Sequence, residues 1–248
     1  MGRDETRRAI VTGAASGIGQ AVAHRLLADG GHVLAVDRDA AGLGPLVAAG
    51  AESLVCDLGD HAARAEVIAA GAGADWLVNA AGVIRLRALP DLDLDDWRTI
   101  FAVNAEAVFF LCQGIGPTLR PGGAIVNVSS SSAKWSPTPE AAVYAASKAA
   151  VLSITRSFAS ALASRPVRVN AICPGIVDTP MQDRVLADVA ALRQTTVAEL
   201  ESGRTRLVPL GRSSSSDECA GVIAFLLSDE AAYMTGQAVN FTGGMVTW

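Results

Sequence analysis

The chain has 248 residues, half of them apolar, a formal net charge of −5 and four cysteines. That length and apolar content support a single domain with a sizeable core and exclude a disordered chain. Its acidic balance, with Lys and Arg scattered, argues against a nucleic-acid groove or an anionic membrane surface as partner and leaves a small diffusing ligand.

The start, MGRDETRRAIVTG, carries arginines but no apolar h-region, and nowhere do 18 uncharged apolar residues run together, so a soluble, cytosolic chain is expected. Arg7 to Gly13 reads as a short apolar strand ending in glycine, and residues 18–28 then place apolar side chains at helical spacing. Strand-like runs recur at 32–37, 53–58, 76–81, 123–130, 167–173 and 238–243. Longer helical segments separate most of them, at 94–113, 142–163 and 217–228. Strands alternating with helices predict an α/β fold: a doubly wound, seven-stranded parallel sheet covered by helices on both faces, as one domain over 1–248. Residues 181–206 are polar and helical and fall between the sixth and seventh strands. They read either as a surface excursion or as a substrate lid, the sharper reading, because binding loops collect beyond strand C-termini. Cys56, Cys112, Cys173 and Cys219, like His24, His32 and His61, lie far apart without ligand spacing, which predicts buried thiols and no metal site.

Three features carry chemistry. The first is TGAASGIG, which sets Gly13, Gly17 and Gly19 at a strand-to-helix turn, with Ser16 and Ile18 among them. Glycine there lets the backbone take positive φ and approach a pyrophosphate, whose charge meets free N–H groups and the positive helix end. The second strand ends in Asp37, where a carboxylate can accept from an adenosine ribose and repel a 2′-phosphate, which favours NAD over NADP. Arg38 follows at once and softens that preference if it pairs with a phosphate. Asp57, followed by Leu58, closes the third strand and reads either as an acceptor for an adenine amino group or as a plain strand-end turn.

The second is VYAASKAA. On a helix, Tyr144 and Lys148 at i and i+4 share a face one turn apart. Charges about 4 Å apart at an effective dielectric of about 20 interact by roughly 4 kcal/mol, an upper bound of about three pKa units on the phenol before the lysine's desolvation is counted. This predicts a tyrosine shifted toward neutrality and suited to exchanging a proton with an alcohol or carbonyl oxygen. NVSSSS, ending the fifth strand, brings a hydroxyl to the same crevice. The third is Asn104, in WRTIFAVNAEAVFFLC, which shares a helix face with Trp97, Ile100, Phe101, Val108 and Leu111 and is therefore expected to be buried. A buried amide needs partners, so Asn104 either kinks its own helix or holds a water that links Lys148 to solvent, or does both. In the same segment the apolar run Val108, Phe109, Phe110 and Leu111 is too wide for one buried stripe and points to a second apolar face that meets a partner.

The glycine turn, Asp37, NAAG at 79–82, Asn104, the strand-end serines, Y-A-A-S-K and PGIVDT at 174–179 occur in the order shown by the short-chain dehydrogenase/reductase family, which the chain resembles over about residues 7–247. The resemblance implies a Rossmann-type fold with Tyr144 as catalytic acid/base, Lys148 lowering its pKa and holding the nicotinamide ribose, and Asn104 anchoring a water relay. Asn79 would support the sheet and border the cofactor together with Ala80 and Gly82, and Pro174, Gly175, Val177 and Thr179 would meet the nicotinamide carboxamide or the pyrophosphate. The strand geometry makes Ser130 the substrate-positioning serine, whereas the family's usual interval counted back from Tyr144 lands on Ser131. Asn79-Ala80-Ala81-Gly82 lacks a second asparagine common in the family, and Thr242 stands where an aspartate is common. The PGIVDTPM segment and the C-terminal stretch look most like NAD-dependent dehydrogenases of polyols and vicinal diols, such as sorbitol-type sugar alcohols and 2,3-butanediol, working as homotetramers. Runner-up readings are a reductase of 3-ketoacyl carriers or of alicyclic or steroid ketones and, more remotely, a nicotinamide-binding protein without catalysis. Trp248 either frays or reaches a neighbouring subunit.

Overall fold

The computed structural model describes residues 6–248. Seven strands form one parallel sheet in the order β3-β2-β1-β4-β5-β6-β7, with β1 at Arg8–Thr12, β2 at His32–Asp37, β3 at Glu52–Val55, β4 at Trp76–Asn79, β5 at Ala124–Val128, β6 at Arg168–Pro174 and β7 at Ala238–Phe241. Side chains alternate across the pleat, so Ala9 and Val11 enter one core and Ile10 the other. The first core lies under α1 (Gly17–Ala28), α2 (Ala40–Ala48) and α9 (Ser216–Leu227); the second lies under α3 (Arg64–Ala70), α5 (Ala107–Ile115) and α6 (Ala142–Leu162). Both faces are thus covered, and β5 is buried at all five positions, as the apolar runs require. Each large aliphatic side chain closed off from water in this way contributes about 2 kcal/mol.

Helix starts follow local chemistry. Asp93 and Asp96 form a reciprocal capping box at the head of α4 (Leu94–Phe101), as Ser215 and Glu218 do for α9. Asp96 is fully buried yet compensated, its carboxylate lying 3.3 Å from Arg85 and 3.1 Å from Arg87.

Several boundaries differ from the sequence expectation. The third strand stops at Val55, short of Asp57, because Asp57 Oδ1 accepts the Gly59 N–H at 2.8 Å and turns the chain. The segment 94–113 is interrupted by a π-type turn at Ala102–Glu106, between α4 and α5. Trp97 is 45 % exposed and does not share the buried face expected of it; it stacks on Phe101 at 4.2 Å between ring centroids. Helices α2 and α3 were not apparent from periodicity. All four thiols are free and buried, and the 181–206 excursion folds as two helices, α7 (Pro180–Arg193) and α8 (Val197–Thr205).

Candidate active site

The strand order reverses at β1, whose neighbours β2 and β4 carry the chain to opposite sides of the sheet. A crevice therefore opens beyond the strand C-termini at this point. Gly13 makes the first turn possible: its φ is +67°, and a Cβ there would lie 2.7 Å from Ala81 Cα. The Thr12 hydroxyl closes the same gap, accepting the N–H groups of Ala80 and Ala81 at 3.1 and 3.2 Å. Ser16 heads α1 in an extended conformation, and no side chain caps that helix. Ser16, Gly17, Ile18 and Gly19 line the cavity, so the helix N-terminus presents its backbone donors to it. At the end of β2, the Asp37 carboxylate accepts from Ala15 N–H and Asp39 N–H, both at 3.0 Å, which fixes its position.

A cavity of about 690 Å³ runs from Asp37 past this turn to Tyr144. Every residue expected to hold a cofactor lines it except Asn79: Arg38, Asp57, Leu58, Ala80, Gly82, Lys148, Pro174, Gly175, Val177 and Thr179 all do. Asn79 is buried within the sheet, where its amide donates to Asn127 Oδ1 at 2.8 Å, so it supports the sheet without bordering the cavity. Arg38 lies 3.9 Å from Asp57, with both side chains more than half exposed, a pairing worth little.

At the other end, Lys148 and Tyr144 project from α6. Ser130, just past β5, lines the cavity with Tyr144, close enough for its hydroxyl to lower the phenol's proton affinity, and it accepts the Ser132 N–H at 3.1 Å. Ser131 lines the cavity too, and of the two serines Ser130 is the one whose hydroxyl lowers the phenol's proton affinity. Lys148 is held from below, its Nζ donating to Val128 O at 2.9 Å while the Ser129 hydroxyl donates to the Lys148 carbonyl at 2.8 Å.

The electrostatics correct the expected shift. Burial pushes the Tyr144 phenol above its ordinary range, and the Ser130 hydrogen bond draws it back only in part. Burial also brings the Lys148 ammonium down to about 8, against the opposing influence of Cys173. The spacing in sequence correctly brings the two together, but Nζ sits 5.8 Å from the centroid of the tyrosine ring and bonds a backbone carbonyl. Desolvation of both groups therefore outweighs their mutual attraction.

Asn104 is fully buried inside the π-type turn. It accepts Val83 N–H at 2.8 Å and donates to Val83 O at 2.9 Å and to Ser147 Oγ at 3.0 Å. Its helix is thus distorted where this residue sits, and the bonds of its side chain fix the loop after β4. Gly82 in that loop packs against both Lys148 and Asn104: a Cβ would stand in ordinary contact, 3.4 Å from Lys148 Nζ and 3.6 Å from Asn104 Oδ1.

Sequence reasoning missed three contributors. Arg64 is buried and bonds Leu58 O, Glu106 and Ala102 O, which ties α3 to the π-type turn. Arg193 at the end of α7 forms a two-bond pair with Glu140, both at 2.8 Å, which joins the 181–206 segment to the loop before α6; the guanidinium holds the Glu140 carboxyl below the usual carboxylate range. Lys134 Nζ donates to Asn240 Oδ1 at 2.8 Å and to Trp248 O at 3.1 Å, so the chain end is anchored beside the serine loop, with the Trp248 side chain 71 % exposed. A lone basic residue among apolar neighbours carries no local signal of its partner. Thr242 closes the turn before that end through its bonds with Val246 at 3.1 and 3.2 Å.

A family model described as enoyl-(acyl carrier protein) reductase matches residues 13–246. Among curated relatives, 2-keto-3-deoxy-L-fuconate dehydrogenase of Xanthomonas campestris pv. campestris is 34 % identical across 98 % of this chain and 81 % of its own length. The 3-oxoacyl-[acyl-carrier-protein] reductase FabG of Thermotoga maritima is 37 % identical, with 98 % and 99 % covered. Among solved structures, a short-chain dehydrogenase/reductase of the glucose/ribitol dehydrogenase type from Brucella melitensis superposes with a TM-score of 0.88 at 29 % identity, covering 98 % of each chain. A blue fluorescent protein from a metagenomic library, solved in complex with NADPH, does so at 0.86 and 28 % identity, covering 97 % of this chain and 98 % of its own.

Proposed function

Since the chain belongs to the short-chain dehydrogenase/reductase family, we propose that it interconverts a secondary alcohol, of polyol or other sugar-derived type, and the corresponding ketone with a nicotinamide cofactor. The observation that carries this reading is that Ser130 and Tyr144 line one cavity with a helix N-terminus whose Ser16 makes no side-chain cap and with the fixed Asp37 carboxylate.

The residues present fit a dinucleotide. Backbone donors from Ser16 to Gly19 would take the pyrophosphate and Asp37 the adenosine ribose, and Gly82, Gly175 and Thr179 line the path toward Tyr144. A nicotinamide held there supplies the hydride acceptor or donor. The chain's own residues manage the oxygen. Ser130 and Tyr144 form two hydrogen bonds to it, and Tyr144 gives its proton in reduction or takes one in oxidation. With the phenol pushed above its ordinary range, the cofactor-free site is protonated for reduction at neutral pH, and oxidation gains as pH rises. Asp37, on the cavity wall at the end of β2, would repel a 2′-phosphate, which favours NAD. The half-exposed Phe109 and Phe110 beside the buried Val108 and Leu111 suit a homotetramer.

The resemblance to a carrier-protein ketoacyl reductase supports a second substrate, which the same oxygen chemistry would serve. Steady-state assays of polyols, diols and carrier thioesters with NAD(H) and NADP(H) test the reading. Tyr144→Phe should lower kcat by about 10²- to 10⁴-fold while NADH still binds with near-unchanged affinity by fluorescence titration. Undiminished turnover in that variant overturns the proposal.

A further inference from the structure

Three arginines of the 181–206 segment line the cavity: Arg184, Arg193 and Arg204. Their surroundings differ. Arg193 is neutralised by Glu140. Arg184 is exposed at the rim, its Nε on Pro180 O at 3.2 Å. Arg204, in the last turn of α8, is partly buried and has no carboxylate or carbonyl bonded to its guanidinium among the described residues. Glu199, the carboxylate of α8 that shares the cavity wall, is committed elsewhere: it accepts from the Thr195 and Thr196 hydroxyls at 2.6 and 3.0 Å and from Thr196 N–H at 3.2 Å. A second donor is idle on the same wall, because the Gln182 amide nitrogen is buried without an acceptor. A guanidinium partly withdrawn from water without an anion is costly, and burial alone already lowers the Arg204 proton affinity with no neighbouring charge to restore it. An arginine arranged in this way is completed by an anion that arrives with the ligand, and a planar carboxylate matches its fork of donors.

We propose that the physiological substrate is a hydroxycarboxylic acid, such as a sugar acid, whose carboxylate is received by Arg204 while its secondary hydroxyl lies on Ser130 and Tyr144. The inference rests on the dehydrogenase reading above and narrows its substrate. The reaction balances without involving the carboxylate: the C–H bond of the carbinol carbon breaks and its hydrogen passes as hydride to the nicotinamide, the O–H proton goes to the Tyr144 phenolate, the form that rising pH favours, and a ketone remains. Arg204 is therefore a binding residue that sets specificity.

The test compares matched pairs, the sugar alcohols ribitol, sorbitol and galactitol against ribonate, gluconate and galactonate, with both cofactors. Acids should have the higher kcat/KM. Arg204→Gln should lower it for the acids by about 10- to 100-fold, mainly through KM, and change it for the alcohols by less than about threefold; Arg204→Lys should recover part of the loss. Calorimetric titration of the same acids gives a readout independent of turnover, with binding weakened by Arg204→Gln and by added salt. Preference for the alcohols in the native protein, or equal losses on both classes, overturns the carboxylate inference and leaves the dehydrogenase reading standing. Absence of turnover on every compound overturns the dehydrogenase reading instead, and the calorimetry then decides for or against Arg204.

Discussion

Replacing Lys148 by methionine removes a cation that the fold keeps 4 % exposed, with Nζ on the Val128 carbonyl at 2.9 Å. Burial lowers the ammonium from 10.5 to about 8, so the unfolded chain holds this proton more tightly than the folded one. Between about pH 8 and 10.5 the unfolded state binds more protons, and stability rises with pH across that window. Below pH 8 the folded state carries the full cost of a buried charge. At about 1.36 kcal/mol for each tenfold change in proton affinity, that cost is about 3 kcal/mol. Methionine fills similar space without charge and forgoes one hydrogen bond, a loss of about 1 kcal/mol that does not vary with pH. Urea denaturation of both proteins at one concentration from pH 7 to 10.5 measures the difference. The variant should be most favoured relative to the native chain at pH 7, and the gap should close by about 3 kcal/mol toward pH 10.5. Parallel curves would refute the claim that desolvation dominates this lysine.

Three further outcomes are expected. Ser130→Ala should lower kcat by about 10²-fold and Ser131→Ala by less than about threefold; the reverse order in steady-state kinetics would move the role to Ser131. Asn104→Ala should destabilise by about 3 kcal/mol in chemical denaturation, since three buried bonds at 2.8, 2.9 and 3.0 Å are lost, and a loss under about 1 kcal/mol would mean that the π-type turn relaxes into regular helix. Asp37→Ser should raise kcat/KM with NADP relative to NAD by about tenfold or more, equivalent to about 1.4 kcal/mol, and an unchanged ratio would remove Asp37 from cofactor selection.

What could be read from the residues alone was whatever depends on near neighbours in the chain. Short continuous apolar runs and helical spacing foretold the strands and long helices to within a few positions, because the central strands, such as β5, bury both faces of their pleat. The turn at Gly13 was legible as a backbone requirement, the partnership of Tyr144 and Lys148 as an i, i+4 spacing, and the burial of Asn104 from its helix face. Strand geometry favoured Ser130 over Ser131, and both serines line the cavity. Only the tertiary structure decided how polar groups are solvated and which distant segments meet. It raised the phenol where the spacing predicted lowering, withdrew Asn79 from the cavity, ended β3 before Asp57, and set Arg204 on the cavity wall with no carboxylate partner among the described residues. Dielectric surroundings and long-range pairings arise when β-strands and helices far apart in sequence pack together, and a one-dimensional pattern does not contain them.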